Sequence, residues 1–220
     1  MSQIALPQNI KEIFFKTIKG EIAILDFEQW LYADKEIENY LTEDDYLDLI
    51  SLNFKKSGAK YELWELLKKH IDLGEFETYK MLRLLKDAQE KNNNLPEILM
   101  DFYDLYCRGY NFLDDLGMGF GLALEVPMVR NINAETWDEL TPTQQQNLLD
   151  SFSPRLEKSI ENAINWLETG KIILTGKIDE IGHYGYNDHR TEDERKSIFQ
   201  VKVPELKTAG SCKKWWMFWK

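Results

Sequence analysis

Apolar residues recur at three- and four-residue spacing through most of this chain, and that period gives way to β-branched runs only after Gly170. Such a pattern turns one face of each segment toward a core and predicts an array of helices. Ile10, Ile13, Phe14 and Ile18 share a helical face between Pro7 and Gly20, residues suited to the start and end of a helix. Ile22 to Leu25 reads as a short extended run, after which Asp26 is placed to cap a helix carrying Phe27, Trp30 and Leu31. A short piece follows from Asp34 to Tyr40, and Thr42 caps a third helix with Tyr46, Leu47, Leu49 and Ile50. After the Ser57-Gly58 turn, residues 61–71 predict a helix burying Leu63, Trp64, Leu66, Leu67 and Ile71. Gly74 is expected to end that segment, and residues 76–91 to form a strong amphipathic helix through Tyr79, Leu82, Leu84 and Leu85.

Lys91 and the Asn92-Asn93-Asn94 run break the pattern, since Asn favours turns over helix interiors. The break suggests an acidic helical region over 1–91, a second helical region with short strands over 95–208, and a tail over 209–220; one continuous array is the other reading. Pro96 suits a helix start, with Ile98, Leu99, Phe102, Leu105, Tyr106 and Tyr110 on the apolar side. That helix is expected to end in a flexible turn at Gly117, Gly119 and Gly121. Thr141-Pro142 and Pro154 open two more helices, and Gly170 closes the last. Strands are predicted at 172–175 and 199–203, where β-branched residues are bounded by Gly and Pro. The expected class is mainly α with a small C-terminal β element, an α+β helical array.

With 43% hydrophobic residues, the 220-residue chain has enough apolar material for a sizeable core. Its formal net charge of −11 repels phosphate backbones, which argues against nucleic acid as a partner, and attracts basic proteins. Two cysteines, Cys107 and Cys212, are too few for a disulfide framework, and Cys107 is expected to be a small buried apolar residue. The first eleven residues carry no signal-type apolar core, and no apolar run approaches a membrane span, so a cytoplasmic setting is the expectation.

Chemistry-bearing residues gather in few places. Residues 179–190 hold Asp179, Glu180, His183, Asp188 and His189, with Gly182 and Gly185 to bend the backbone. Imidazoles and carboxylates brought together there suit a divalent metal or acid–base catalysis, yet the order matches no standard metal pattern, and a polar loop between two strands is the plainer reading. The glycine trio lacks the strand before it and the GK[ST] ending of a phosphate loop. His70 lies late in a predicted helix and reads as structural. No cofactor is implied. From Glu21 to Asn53 the chain is strongly acidic, and Trp30 and several tyrosines are interleaved with the carboxylates. Asp26, Glu28, Trp30, Asp34, Glu36, Asp44, Asp45 and Asp48 form a candidate surface for steering and anchoring a basic protein; ordinary amphipathic helices with solvated acidic faces would look the same. The end of the chain carries Trp215, Trp216, Phe218 and Trp219 among lysines. That composition suits docking on the body of the protein, contact with another protein, or a membrane interface.

The run from Leu25 to Tyr32 (LDFEQWLY), followed by Tyr46 to Phe54 (YLDLISLNF) and Leu66 to Ile71 (LLKKHI), resembles the opening of bacterial immunity-type proteins of polymorphic toxin and contact-inhibition systems. The resemblance covers the first third of the chain. It implies a protein that binds and blocks a cognate toxin by occlusion, and an acidic surface would suit the basic active sites of toxins that cut nucleic acid. Two other functions follow from the residues: a metal-dependent hydrolase centred on the Asp179–His189 segment, and a peripheral membrane scaffold recruited by the tail.

Overall fold

The computed structural model describes residues 5–127 and 134–199. Over these the protein is mainly α, with one two-stranded antiparallel sheet near the C-terminal end. The helices are α1 (Gln8–Lys19), α2 (Ile24–Ala33), α3 (Glu43–Ile50), α4 (Ala59–Leu67), α5 (Leu73–Gln89), α6 (Leu95–Cys107), α7 (Leu122–Glu125), α8 (Pro142–Phe152) and α9 (Arg155–Glu168). The strands are β1 (Ile172–Ile178) and β2 (Tyr184–Asp188). No helix among the described residues is long and apolar enough to cross a membrane.

Three of the helices start after side chains that satisfy the first free N–H groups. Thr42 accepts from the Asp45 amide at α3, and Asp72 accepts from the Glu75 amide at α5. Thr141 and Gln144 close a reciprocal capping box at α8. Asp26, expected as a cap, instead lies in the first turn of α2, because the helix already begins at Ile24 with Ala23 before it. A carboxylate there still opposes the positive end of the helix dipole.

Two apolar cores result. One joins α1 to α4 through Phe14, Phe27, Leu31, Leu49, Leu67 and the start of α5 at Phe76. The other joins the rest of α5, from Met81 onward, to α6, α9 and β1 through Leu85, Phe102, Phe112, Phe120, Ile160 and Ile172. Helix α5 therefore serves both, and the cores part between Phe76 and Met81. The Asn92–Asn94 run forms the turn between α5 and α6.

Three glycine readings change. Gly74 lies inside α5 rather than ending a helix, since Asp72 caps α5 ahead of it. A Cβ on Gly74 would sit 2.2 Å from the Leu174 carbonyl oxygen, so the bare backbone lets β1 lie against the helix. The glycine trio is no turn: Asp115–Gly121 winds as a π-helix pressed against α6. Cys107 is exposed at the end of α6, because Ile98, Leu99 and Phe102 hold the core face and Cys107 falls outside their stripe.

Part of the segment expected as a polar loop between two strands is itself a strand. β1 pairs with Tyr184–Asp188, in the register Ile172 to Asp188 and Leu174 to Tyr186. Tyr184 and Tyr186 hold β2 on the core: Tyr184 stacks on Tyr110 at 4.9 Å, and Tyr186 meets Phe112 edge-on at 5.3 Å. The strand expected at 199–203 lies outside the described residues except for Phe199, which is in a turn.

Where α5, α8 and α9 meet, Lys91 and Ser153 both donate to the Glu157 carboxylate. The Lys91 ammonium, then the Ser153 hydroxyl, hold the Glu157 pKa down to about 2. A folded pKa below the unfolded one gives stability that is present above the ordinary glutamate range and lost as pH falls toward 2. Glu157→Gln is expected to flatten the acid limb of a stability–pH curve between about pH 5 and pH 2. Solvent screening keeps the loss at neutral pH below about 1 kcal/mol. Urea melts across that range measure it, and an unchanged acid limb would contradict the assignment.

Candidate partner-binding surface

Helical geometry sorts the acidic residues of α2 and α3 by direction. At 3.6 residues per turn, Asp26 and Glu28 point about 160° apart on α2, on opposite flanks of the buried Phe27–Leu31 stripe. They do not share a face. Leu25, Glu28 and Tyr32 do share one, at i, i+3 and i+7. On α3, Asp44, Leu47 and Asp48 form a second outward stripe at i, i+3 and i+4. The Tyr32 hydroxyl donates to the Ile50 carbonyl at 3.2 Å, which ties the end of α2 to α3 one turn beyond Leu47.

Apolar side chains in these stripes face solvent. Leu25 is 42% exposed, Tyr32 56% and Leu47 49%. The first stripe sets one carboxylate between two exposed apolar groups and the second an exposed leucine beside two carboxylates, the composition of an interface centre with a charged surround. The apolar pattern of the sequence assigned Leu47 to α3 without a side. The signal for its exposure was there: it is about 160° from the buried Leu49 on a helical wheel.

The remaining predicted surface residues have other tasks. Trp30 packs edge-on against Phe14 at 6.3 Å and tilted on Phe27 at 5.4 Å, so its ring is largely core. Asp34 accepts from the Glu36 amide at 2.8 Å. Asp45 accepts from the Thr42 hydroxyl at 2.5 Å and faces Lys69 and His70, at 3.9 and 3.6 Å. His70 follows the end of α4 in a turn with its side chain only 2% exposed. Burial, partly opposed by Asp45, lowers its pKa from the ordinary histidine value. Asp26 and Glu36 are exposed but lie apart from the two stripes.

The His-bearing segment does not converge. Asp179 and His183 close the hairpin turn, where Asp179 Oδ1 accepts from the His183 amide at 2.8 Å and from the Ile181 amide at 3.0 Å. These bonds hold the exposed Asp179 carboxyl below its usual range, the His183 amide foremost. Glu180 is exposed in the same turn. Asp188 and His189 lie at the far end of β2, on the order of 15 Å away at the rise of a strand. Asp188 is engaged by Arg190 through both carboxylate oxygens, at 3.1 and 3.0 Å, and the His189 amide donates to Lys171. Among the described residues no group of three His, Cys, Asp or Glu side chains is placed to hold a metal ion. Trp215, Trp216, Phe218 and Trp219 lie outside the described residues. Comparisons with protein-family models, curated proteins and solved structures return no match to this chain.

Proposed function

We propose that this chain is a cytoplasmic binding protein of the immunity type, which neutralises a cognate basic toxin by covering its working surface. The observation that carries the reading is the pair of stripes Leu25–Glu28–Tyr32 and Asp44–Leu47–Asp48, with three large apolar groups exposed among carboxylates. Exposed leucines and a tyrosine give a partner apolar area to bury, and Tyr32 is already held by Ile50, so less freedom is lost on docking. The net charge of −11 attracts a basic partner at long range, and Glu28, Asp44 and Asp48 orient it toward this face with a salt-dependent rate.

The test uses the basic protein that this chain captures from its native cell's lysate. Glu28→Lys, Asp44→Lys and Asp48→Lys together are expected to slow association on the order of tenfold at low salt and to flatten its salt dependence. Asp26→Lys, on the opposite flank of α2, leaves the rate within about twofold. Tyr32→Ala with Leu47→Ala raises the dissociation rate instead. Unchanged association in the triple variant at low salt removes this surface from the account.

A further inference from the structure

A cleft of about 810 Å³ opens between the end of α1, the chain leading into α2, the start of α4, and α5. It lies in the size range of small-molecule sites. Its floor is apolar: Leu63, Leu67 and Phe76 are buried beneath it, and the Trp64 ring packs on Phe76 at 5.9 Å. Lys19, Lys60 and Lys80 line it from three different helices, and no carboxylate lines it among the described residues. Lys60 Nζ lies 3.5 Å from where a Cβ on Gly20 would be, so it reaches across to the loop after α1. Lys80 Nζ sits 5.2 Å from the Phe76 ring centroid. Lys19 and Lys80 are ion-paired with Glu21 at 3.2 Å and Glu77 at 2.8 Å, carboxylates outside the lining that partly offset their charge, whereas Lys60 has no ion pair among the described residues.

We infer that this cleft binds a fatty acid, its chain on the Leu63–Leu67–Phe76 floor and its carboxylate at Lys60, with Lys19 and Lys80 adding positive charge beside it. An aliphatic chain matches a lining in which apolar surface dominates, and a single anionic head matches Lys60, the lining lysine that makes no ion pair among the described residues. The chain's own tail is apolar enough for the floor, but Lys213, Lys214 and Lys220 would bring like charge to the rim. The cleft does not depend on the α2–α3 stripes, so the two readings stand or fall separately.

Calorimetry of the full chain with decanoate, decanol and decyltrimethylammonium tests this. Decanoate is expected to bind saturably at one per chain, and the cationic amphiphile not to bind. Lys19→Gln, Lys60→Gln and Lys80→Gln together weaken decanoate on the order of tenfold and leave decanol unchanged. Ala23→Trp, made at an exposed residue of the lining, fills the cleft and abolishes decanoate binding. The lysine variants are at the surface and keep the question open to a negative answer even where Ala23→Trp fails to fold. Equal binding of the anionic and cationic amphiphiles, or decanoate affinity untouched by the lysine changes, would overturn the inference. So would decanoate binding that appears only after Trp215, Trp216 and Trp219 are changed to serine, because the tail would then be the occupant.

Discussion

Gly121→Ala is expected to lower the stability of the folded chain by about 3 kcal/mol, the upper part of the range for overpacking a tight contact. A Cβ at Gly121 would lie 2.3 Å from the Leu99 carbonyl oxygen and 2.9 Å from Tyr103 Cβ. One turn earlier, a Cβ at Gly117 would meet the Phe102 carbonyl oxygen at 2.8 Å. In both places the obstacle includes the backbone of α6, which cannot swing aside as a side chain can. The π-helix carries Leu116 and Phe120 into the second core, so separating it from α6 also loosens that core. Gly119→Ala gives the contrast. The atoms nearest its Cβ all belong to the Phe199 ring, the first at 2.1 Å, and a side chain can rotate away at a cost of about 1 kcal/mol. Urea unfolding of the two variants measures the difference. Equal losses would mean that the backbone contact with α6 is not what fixes the π-helix.

Arg190→Ala is expected to cost about 3 kcal/mol. The side chain is only 6% exposed and makes two hydrogen bonds to the Asp188 carboxylate, while its guanidinium lies 4.4 Å from the Trp166 ring centroid. Charge-assisted hydrogen bonds contribute about 1.5–3 kcal/mol, and a shielded cation over an indole adds about 1. Arg190→Lys keeps the charge and loses the fork, so it recovers only part of the loss. Burial raises the Asp188 pKa, but the bonds from Arg190 outweigh it and leave the carboxyl below its usual range. Its contribution is therefore present at neutral pH and lost as pH falls through the acid range. In Arg190→Ala that part of the acid sensitivity disappears along with the stability, which separates loss of the ion pair from loss of packing.

Arg190 also begins a strap over the second core. Glu194 accepts from Lys171, Asp115 accepts from the Ser197 hydroxyl at 2.5 Å and the Ile198 amide at 3.0 Å, and Phe199 meets Phe120 at 5.0 Å. The π-helix thus holds both α6 and the end of the described chain.

Local chemistry explains what the sequence made legible. Thr42, Thr141-Pro142 and Pro96 act within one turn of themselves, and each marks its helix to within a residue or two. Gly74, Gly117 and Gly121 misled because a glycine needed for close approach reads the same as one needed for a turn. Their role depends on Leu174, Phe102 and Leu99, which are distant in sequence or on another element. β2 was hidden for a similar reason: Gly185, Asn187 and Asp188 are poor strand formers, and the pairing rests on Tyr184 and Tyr186 finding Tyr110 and Phe112. The acidic character of residues 21–53 was plain in the chain, but which carboxylates share a face needed the bounds of α2 and α3.

Hydrogen–deuterium exchange on the complex with the captured basic partner tests the central proposal most directly. Exchange is expected to slow over Ile24–Ala33 and Glu43–Ile50 in the bound chain, with β1 and β2 unchanged. Protection confined to the β1–β2 hairpin, with α2 and α3 exchanging as in the free chain, would contradict it.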